Sequence, residues 1–173
     1  MLSFITRGDH RLMHRANNWL APRWIQFWAV GATHAGNGGL WVLMGLCILF
    51  FGDHNRFATI GAGGLAAVAS VLLFMWLKRL TGRRRPCSIE RHCWATLLPP
   101  DQFSFPSGHT MTAFAMSVPV CLFYPLSAPA VIFFAISIAA SRILLGMHFL
   151  SDVLVGALLG VVLGLLAYLA FTY

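Results

Sequence analysis

Two stretches of this chain hold no charged side chain over a length close to that of a bilayer's hydrocarbon core. Phe57 to Leu77 runs for about 21 residues without Asp, Glu, Lys or Arg, and a helix needs roughly 20 apolar residues to cross hydrocarbon. Val153 to Tyr173 is a second such run. Composition fits two lipid-embedded segments and more: apolar residues make up 58% of the 173, sixteen glycines come on top, and charged residues are only 10%. A soluble domain carries roughly a quarter charged residues. So few polar groups cannot cover a globule of this size, which excludes a soluble domain, a disordered chain and a coiled coil.

The rest of the chain divides around prolines and polar patches. Thr110 to Ala140 is apolar but broken by Pro125 and Pro129, which predicts two helices, near residues 108–124 and 128–146. Trp24 to Phe51 is interrupted by the patch Thr33 to Gly39, which predicts two short helices joined at the membrane surface; for the first, a re-entrant or interfacial path also fits. Asp9 to Asn18 suits a short helix along the head groups, and nothing in it resembles a secretory signal. The expectation is an all-α, polytopic membrane helix bundle of about six transmembrane helices. It forms one domain over 1–173, with 1–19 an interfacial segment and 78–106 an extracytoplasmic loop. Gly156, Gly160 and Gly164 recur at every fourth position, where helices approach closely; packing inside the bundle is favoured over homodimerisation.

Charge narrows the partners. The balance is +7, and eleven of twelve basic residues are arginine. Most sit in two groups, Arg7 to Arg23 and Lys78 to Arg91, that flank hydrophobic runs, so anionic lipid and the bilayer are expected partners rather than nucleic acid. No obligate protein partner is evident. With six crossings, both termini share a side; if that side is cytoplasmic, so are Asp53 to Arg56, and Lys78 to Phe105 lies outside. The outer loop is then the more basic, against the positive-inside expectation. The four cysteines show neither a CxxC pair nor zinc spacing; Cys87 and Cys93 share one loop, and both a disulfide and two free thiols remain open.

Three polar clusters explain why those bases stand where they do. Lys78 with Arg85 and Pro86, then Pro106-Ser107-Gly108-His109, then Ser141-Arg142 with His148 and Asp152 all fall at helix ends on one membrane face. Ionisable groups at such depths imply function. Lys78, Arg85 and Arg142 bring about three positive charges, a match for a phosphate dianion, and guanidinium forks fit its oxygens. Ser107 and Gly108 at a helix start add free N–H groups. His148 and Asp152 are four apart, so on one helical face the carboxylate would orient the imidazole as a nucleophile, with His109 the general acid. A metal hydrolase would find three cations opposing its ion, so no metal and no cofactor are expected. A serine hydrolase lacks the nucleophile elbow around Ser107. Arg79, Arg83, Arg84 and Arg91 read as interfacial charges, and His10, His14, His34, His54 and His92 receive no role.

Lys78-x6-Arg85-Pro86, Pro106-Ser107-Gly108-His109 and Ser141-Arg142-x5-His148-x3-Asp152 together resemble the three-part signature of the type 2 phosphatidic acid phosphatase superfamily, which also includes vanadium haloperoxidases. The resemblance implies an acid phosphatase/vanadium haloperoxidase-like helical bundle and a metal-independent phosphatase with a phosphohistidine intermediate. In bacterial members it implies an extracytoplasmic active site in the inner membrane. It makes His148 the nucleophile, Asp152 its partner and His109 the acid, with Lys78, Arg85, Ser107, Gly108 and Arg142 on the phosphate. The apolar composition is similar to that of the lipid phosphatase branch, whose substrates include undecaprenyl diphosphate, phosphatidylglycerophosphate, phosphatidate and lipid A.

Overall fold

The computed structural model describes residues 2–89 and 101–173. Its helices are α1 (Leu2–Asn17), α2 (Arg23–Ala35), α3 (Gly39–Phe51), α4 (Arg56–Thr81), the single turn α5 (Pro86–Ile89), α6 (Gly108–Phe123), α7 (Ala128–Leu144) and α8 (Leu150–Thr172), with a 3-10 turn at Pro125–Ser127 before α7. The uncharged runs became α4 and α8. Pro125 ends up between α6 and α7, as its inability to continue a helix requires.

α6 sits at the centre, packed against α4, α7 and α8. Its neighbours meet it through small residues: Ala62, Ala66, Ala115 and Ala167 form one buried cluster, and Trp41, Ala113, Ala135 and Ile138 another. Lipid tails are as apolar as leucine, so helices in a membrane gain more from close backbone approach than from burying large side chains. The large side chains face outward instead: Phe51 is 88% exposed, and Phe57, Leu72 and Leu158 are exposed too. The α8 glycines face α6 from within the bundle. A methyl on Gly156, Gly160 or Gly164 would stand 2.8, 2.4 or 2.6 Å from the carbonyl oxygens of Ser107, Met111 and Ala115.

The expected count of six crossings is not reproduced. α4, Pro125–Leu144 and α8 are each long and apolar enough to span a membrane, and α2 with α3 passes only as a pair bent by 62°. α6, at 16 residues, is about 24 Å long and falls short of the roughly 30 Å of hydrocarbon. Where two short helices were expected to cross and return, Gly36, Asn37 and Gly38 redirect the chain instead, Gly38 with φ of 113°.

The N-terminus also lies elsewhere than expected. Asp9 of α1 bonds Arg83 and Ser151, so the basic N-terminal segment lies at the end of the bundle that holds Lys78 and Arg85. Asp53 lies at the other, hydrogen-bonded to Tyr124 at 3.0 Å. The expected sharing of one side by Arg7 to Arg23 and Asp53 is therefore corrected.

Candidate active site

The chain between α7 and α8 reverses tightly, and this reversal explains the spacing from Arg142 to His148. Gly146 adopts φ of 64°, the left-handed region that favours glycine. The N–H groups of Met147 and His148 then both return to the Arg142 carbonyl, at 3.1 and 3.0 Å. His148 is thereby folded back over the end of α7 with 2% of its surface exposed.

Its imidazole is fixed at both nitrogens. Nδ1 lies 2.6 Å from the Ser104 carbonyl oxygen; a carbonyl only accepts, so Nδ1 carries the proton. Nε2 is then the unprotonated nitrogen, and it accepts from Arg85 Nη1 at 3.1 Å. Burial first, then the charges of Arg142, Arg85 and Lys78, push the ring well below its ordinary value of 6.5, which favours the neutral form a nucleophile needs.

The expected pairing of His148 with Asp152 takes a different form. His148 precedes α8 rather than lying within it, so the two do not share a helical face. Asp152 Oδ2 stands 3.7 Å from Nδ1, beyond hydrogen-bond reach, and accepts the Phe149 N–H at 2.9 Å. Its other oxygen accepts from Arg83 Nη1 at 2.7 Å. The Ser104 carbonyl orients the ring, and Asp152 stands beside it without a hydrogen bond to it.

Lys78, Arg85 and Arg142 converge as expected, 8%, 1% and 2% exposed. A carboxylate missed in the sequence stands among them: Asp101 accepts from Lys78 Nζ at 2.6 Å and from Arg85 Nη2 at 2.8 Å. Burial raises its pKa, but those two bonds outweigh it and hold the carboxyl at about 2. Arg142 has no salt bridge among the described residues. Its Nη1 reaches Thr33 Oγ1 only at 3.4 Å, and its buried Nε donates to nothing described. Three cations against one carboxylate leave room for about two negative charges.

Ser107 is fully buried at the start of α6, its hydroxyl 2.9 Å from Thr110 Oγ1. Gly108 opens the helix beneath Phe74, whose ring would lie 3.1 Å from an added methyl. His109 follows, its Nε2 2.7 Å from Asn37 Oδ1, so the polar patch between α2 and α3 supports it. A groove of about 650 Å³ between α3, α4 and α6 ends at His109 and is lined largely by apolar side chains, among them Trp41, Val71, Phe74 and Met116.

Sequence reasoning missed Asp9, Arg83 and Asp101. The chain has only five acidic residues, and of the four described, Asp9, Asp101 and Asp152 gather at this end. That scarcity is the signal that could have found the two aspartates, whereas Arg83, read as an interfacial charge, is instead paired with Asp9 and Asp152. Cys93, and with it the pairing of Cys87 and Cys93, lies outside the described residues, as do Arg91 and His92; Cys87 has no disulfide partner among the described residues.

A helical membrane bundle that holds a neutral imidazole beside a cationic pocket belongs to the class of membrane-embedded phosphatases. A family model described as the PAP2 superfamily matches residues 59–173, and the chain belongs to that superfamily. It is 34% identical over 140 residues to a decaprenylphosphoryl-5-phosphoribose phosphatase of Mycobacterium tuberculosis, covering 79% of this chain and 75% of that one. It is also 34% identical over 108 residues to a lipid A 1-phosphatase of Rhizobium johnstonii, covering 60% of this chain and 44% of the relative. Among solved structures, Aquifex aeolicus LpxE superposes with a TM-score of 0.76 at 28% identity, over 91% of this chain and 92% of that one. A PAP2-type phosphatidylglycerolphosphate phosphatase from Bacillus subtilis shares the fold, with a TM-score of 0.71 at 23% identity over 94% and 84% of the two chains.

Proposed function

We propose that this single-domain protein hydrolyses the terminal phosphate of an anionic lipid by way of a phosphohistidine on His148. The observation that carries the reading is the direction of His148 Nε2: its lone pair faces the Arg85 guanidinium at 3.1 Å, where a phosphate held by the cations would present phosphorus. Lys78, Arg85 and Arg142, with the Gly108 N–H and the Ser107 hydroxyl, bind the phosphate oxygens, the Ser107 N–H being already given to the Asp152 carbonyl. Nε2 attacks phosphorus, the bond from phosphorus to the lipid oxygen breaks, and His109 gives that oxygen its proton. His109 then takes a proton from water, which attacks phosphorus; the bond to Nε2 breaks and inorganic phosphate leaves. Asp152 stabilises the imidazolium in between. No step needs a metal or cofactor.

The groove that ends at His109 supports a lipid substrate, because an acyl or prenyl chain lying in it would bring its head group to the acid. The named relatives act on polyprenyl, lipid A and phosphatidylglycerol phosphates. The substrate class proposed is accordingly a phospholipid or polyprenyl phosphate or diphosphate, of the undecaprenyl diphosphate, phosphatidylglycerophosphate, phosphatidate or lipid A type. The protein is placed in a bacterial inner membrane with the site facing outward. That orientation runs against the positive-inside expectation, since Arg7 to Arg23 lie at this end too; only Lys78, Arg85 and Arg142, buried in the pocket, and Arg83, paired with Asp9 and Asp152, are accounted for by the site.

Phosphate release from polyprenyl diphosphate, phosphatidate, phosphatidylglycerophosphate and lipid A by the purified protein tests the reading. Release is expected from at least one lipid, with EDTA present or absent, and none from His148→Ala at unchanged melting temperature. Wild-type turnover in that variant, or EDTA inhibition reversed by a divalent ion, overturns the mechanism. Radiolabelled phosphate appearing on a second lipid instead of in water would mark a phosphotransferase, and affinity without release a binding protein.

A further inference from the structure

Asp9 belongs to no motif and lies outside residues 59–173, yet it is only 5% exposed. α1 packs behind the loop that carries His148: Leu12 and Met13 line a small cavity there with Pro86 and Phe149, and the His10 ring lies 5.5 Å from that of Phe149. This docking brings Asp9 Oδ2 to Arg83 Nη2 at 2.7 Å and Oδ1 to the Ser151 N–H at 3.0 Å. The Ser151 hydroxyl donates to Asp9 as well. The other arm of Arg83, Nη1, donates to Asp152 Oδ1 at 2.7 Å, with the guanidinium 4.3 Å over the Phe149 ring. One cation is thus shared by two carboxylates.

The charge count gives this sharing a consequence. Asp152 and Arg83 alone would form a neutral pair, with little to offer a cation beside it. Adding Asp9 leaves the three groups with one net negative charge, and Asp152 Oδ2 presents it 3.7 Å from His148 Nδ1. When Nε2 bonds to phosphorus, the ring keeps its Nδ1 proton and becomes an imidazolium, so that charge is needed at that moment and not before.

We propose that Asp9 is a positioning residue of the active site: by neutralising Arg83 it frees the charge of Asp152 for the imidazolium formed on His148, which makes the N-terminal helix part of the catalytic unit. The inference rests on the reading of His148 as nucleophile. It assigns to Asp9 a role in turnover and none in holding the head group.

The test is a double-mutant cycle on the full chain in detergent, read as kcat and KM for phosphate release from the best lipid of the panel, with melting temperature alongside. Asp9→Asn should lower kcat about tenfold with KM within about twofold, whereas Arg83→Gln, which leaves both carboxylates charged beside His148, should not, and Asp9→Asn combined with Arg83→Gln should recover most of the Asp9→Asn loss, since the net charge is restored. Asp9→Glu should retain kcat. A merely structural pair would not regain turnover when both partners are removed. Wild-type kcat in Asp9→Asn, or a double variant no faster than the slower single one, overturns the inference. Should Asp9→Asn fail to fold, the double variant decides: kcat near that of the wild type is expected, and a tenfold loss overturns the inference. A wild type that releases no phosphate from any lipid overturns the reading of the site and the inference together.

Discussion

Arg142 is 2% exposed, has no acidic partner among the described residues, and leaves its Nε unpaired. A buried charge in that state is costly until an anion arrives. Arg142→Met should therefore raise the stability of the ligand-free protein, by the order of 1 kcal/mol in denaturant or thermal unfolding, while lowering kcat by about 10²- to 10³-fold. Loss of both stability and activity would show that Arg142 is held by packing rather than kept for a phosphate. Asp101 makes the opposite case, a carboxylate already satisfied by Lys78 and Arg85. Its folded value of about 2 lies below the ordinary 3.8, so the unfolded chain takes up the proton first as pH falls. Its contribution to stability is complete above pH 3.8 and is lost as pH drops toward about 2. The melting temperature of the wild type should fall relative to Asp101→Asn across that window, and a difference independent of pH would contradict the pairing.

At the scale of helices, the contact of α6 with α8 carries the site. Ser107 and Gly108 begin α6, and Asp152 lies in the first turn of α8, where the Ser107 N–H donates to the Asp152 carbonyl at 3.1 Å. The glycine stripe sets how close these helices come. A methyl at Gly160 would stand 2.4 Å from the Met111 carbonyl oxygen, a backbone atom that cannot rotate away. Gly160→Ala should destabilise by about 1–3 kcal/mol, seen as a lower melting temperature in detergent. Because the displaced backbone leads directly to Ser107 and His109, turnover should fall as well. An unchanged melting temperature would mean that α8 tolerates a shift the present packing does not show.

For the whole molecule, the two ends of the bundle differ in charge and in purpose. Asp9, Lys78, Arg83, Arg85, Asp101, Arg142 and His148 gather at one end, while Asp53, His54 and Arg56 stand at the other. On a cysteine-free background, Ser88→Cys should react in intact cells with a maleimide that cannot cross the inner membrane. His54→Cys should react only after lysis. The reverse pattern would turn the proposed orientation over without touching the chemistry, because the site's geometry is internal to the bundle.

The helices were legible from the sequence because they are local: an uncharged run of bilayer length, a proline pair and a glycine period each act within one segment. The three clusters of site residues were legible for a related reason, since helix ends at one membrane face must lie near one another whatever the packing. What stayed hidden depends on contacts between distant segments. The Ser104 carbonyl reaches His148 across 44 positions and Asp9 reaches Arg83 across 74, and no spacing rule records either. The bend between α2 and α3 was hidden too: the patch of Gly36 to Gly39 announces a break, but only packing decides whether the chain turns back or bends. The sequence by itself determined a helical membrane protein with a phosphate-sized collection of cations beside two imidazoles. The tertiary structure decided which nitrogen of His148 carries the proton, which carboxylates pair with which cations, and that the N-terminal helix packs at the site's end of the bundle. Periodicity is a property of neighbours along the chain, whereas the pairing of charges is a property of space.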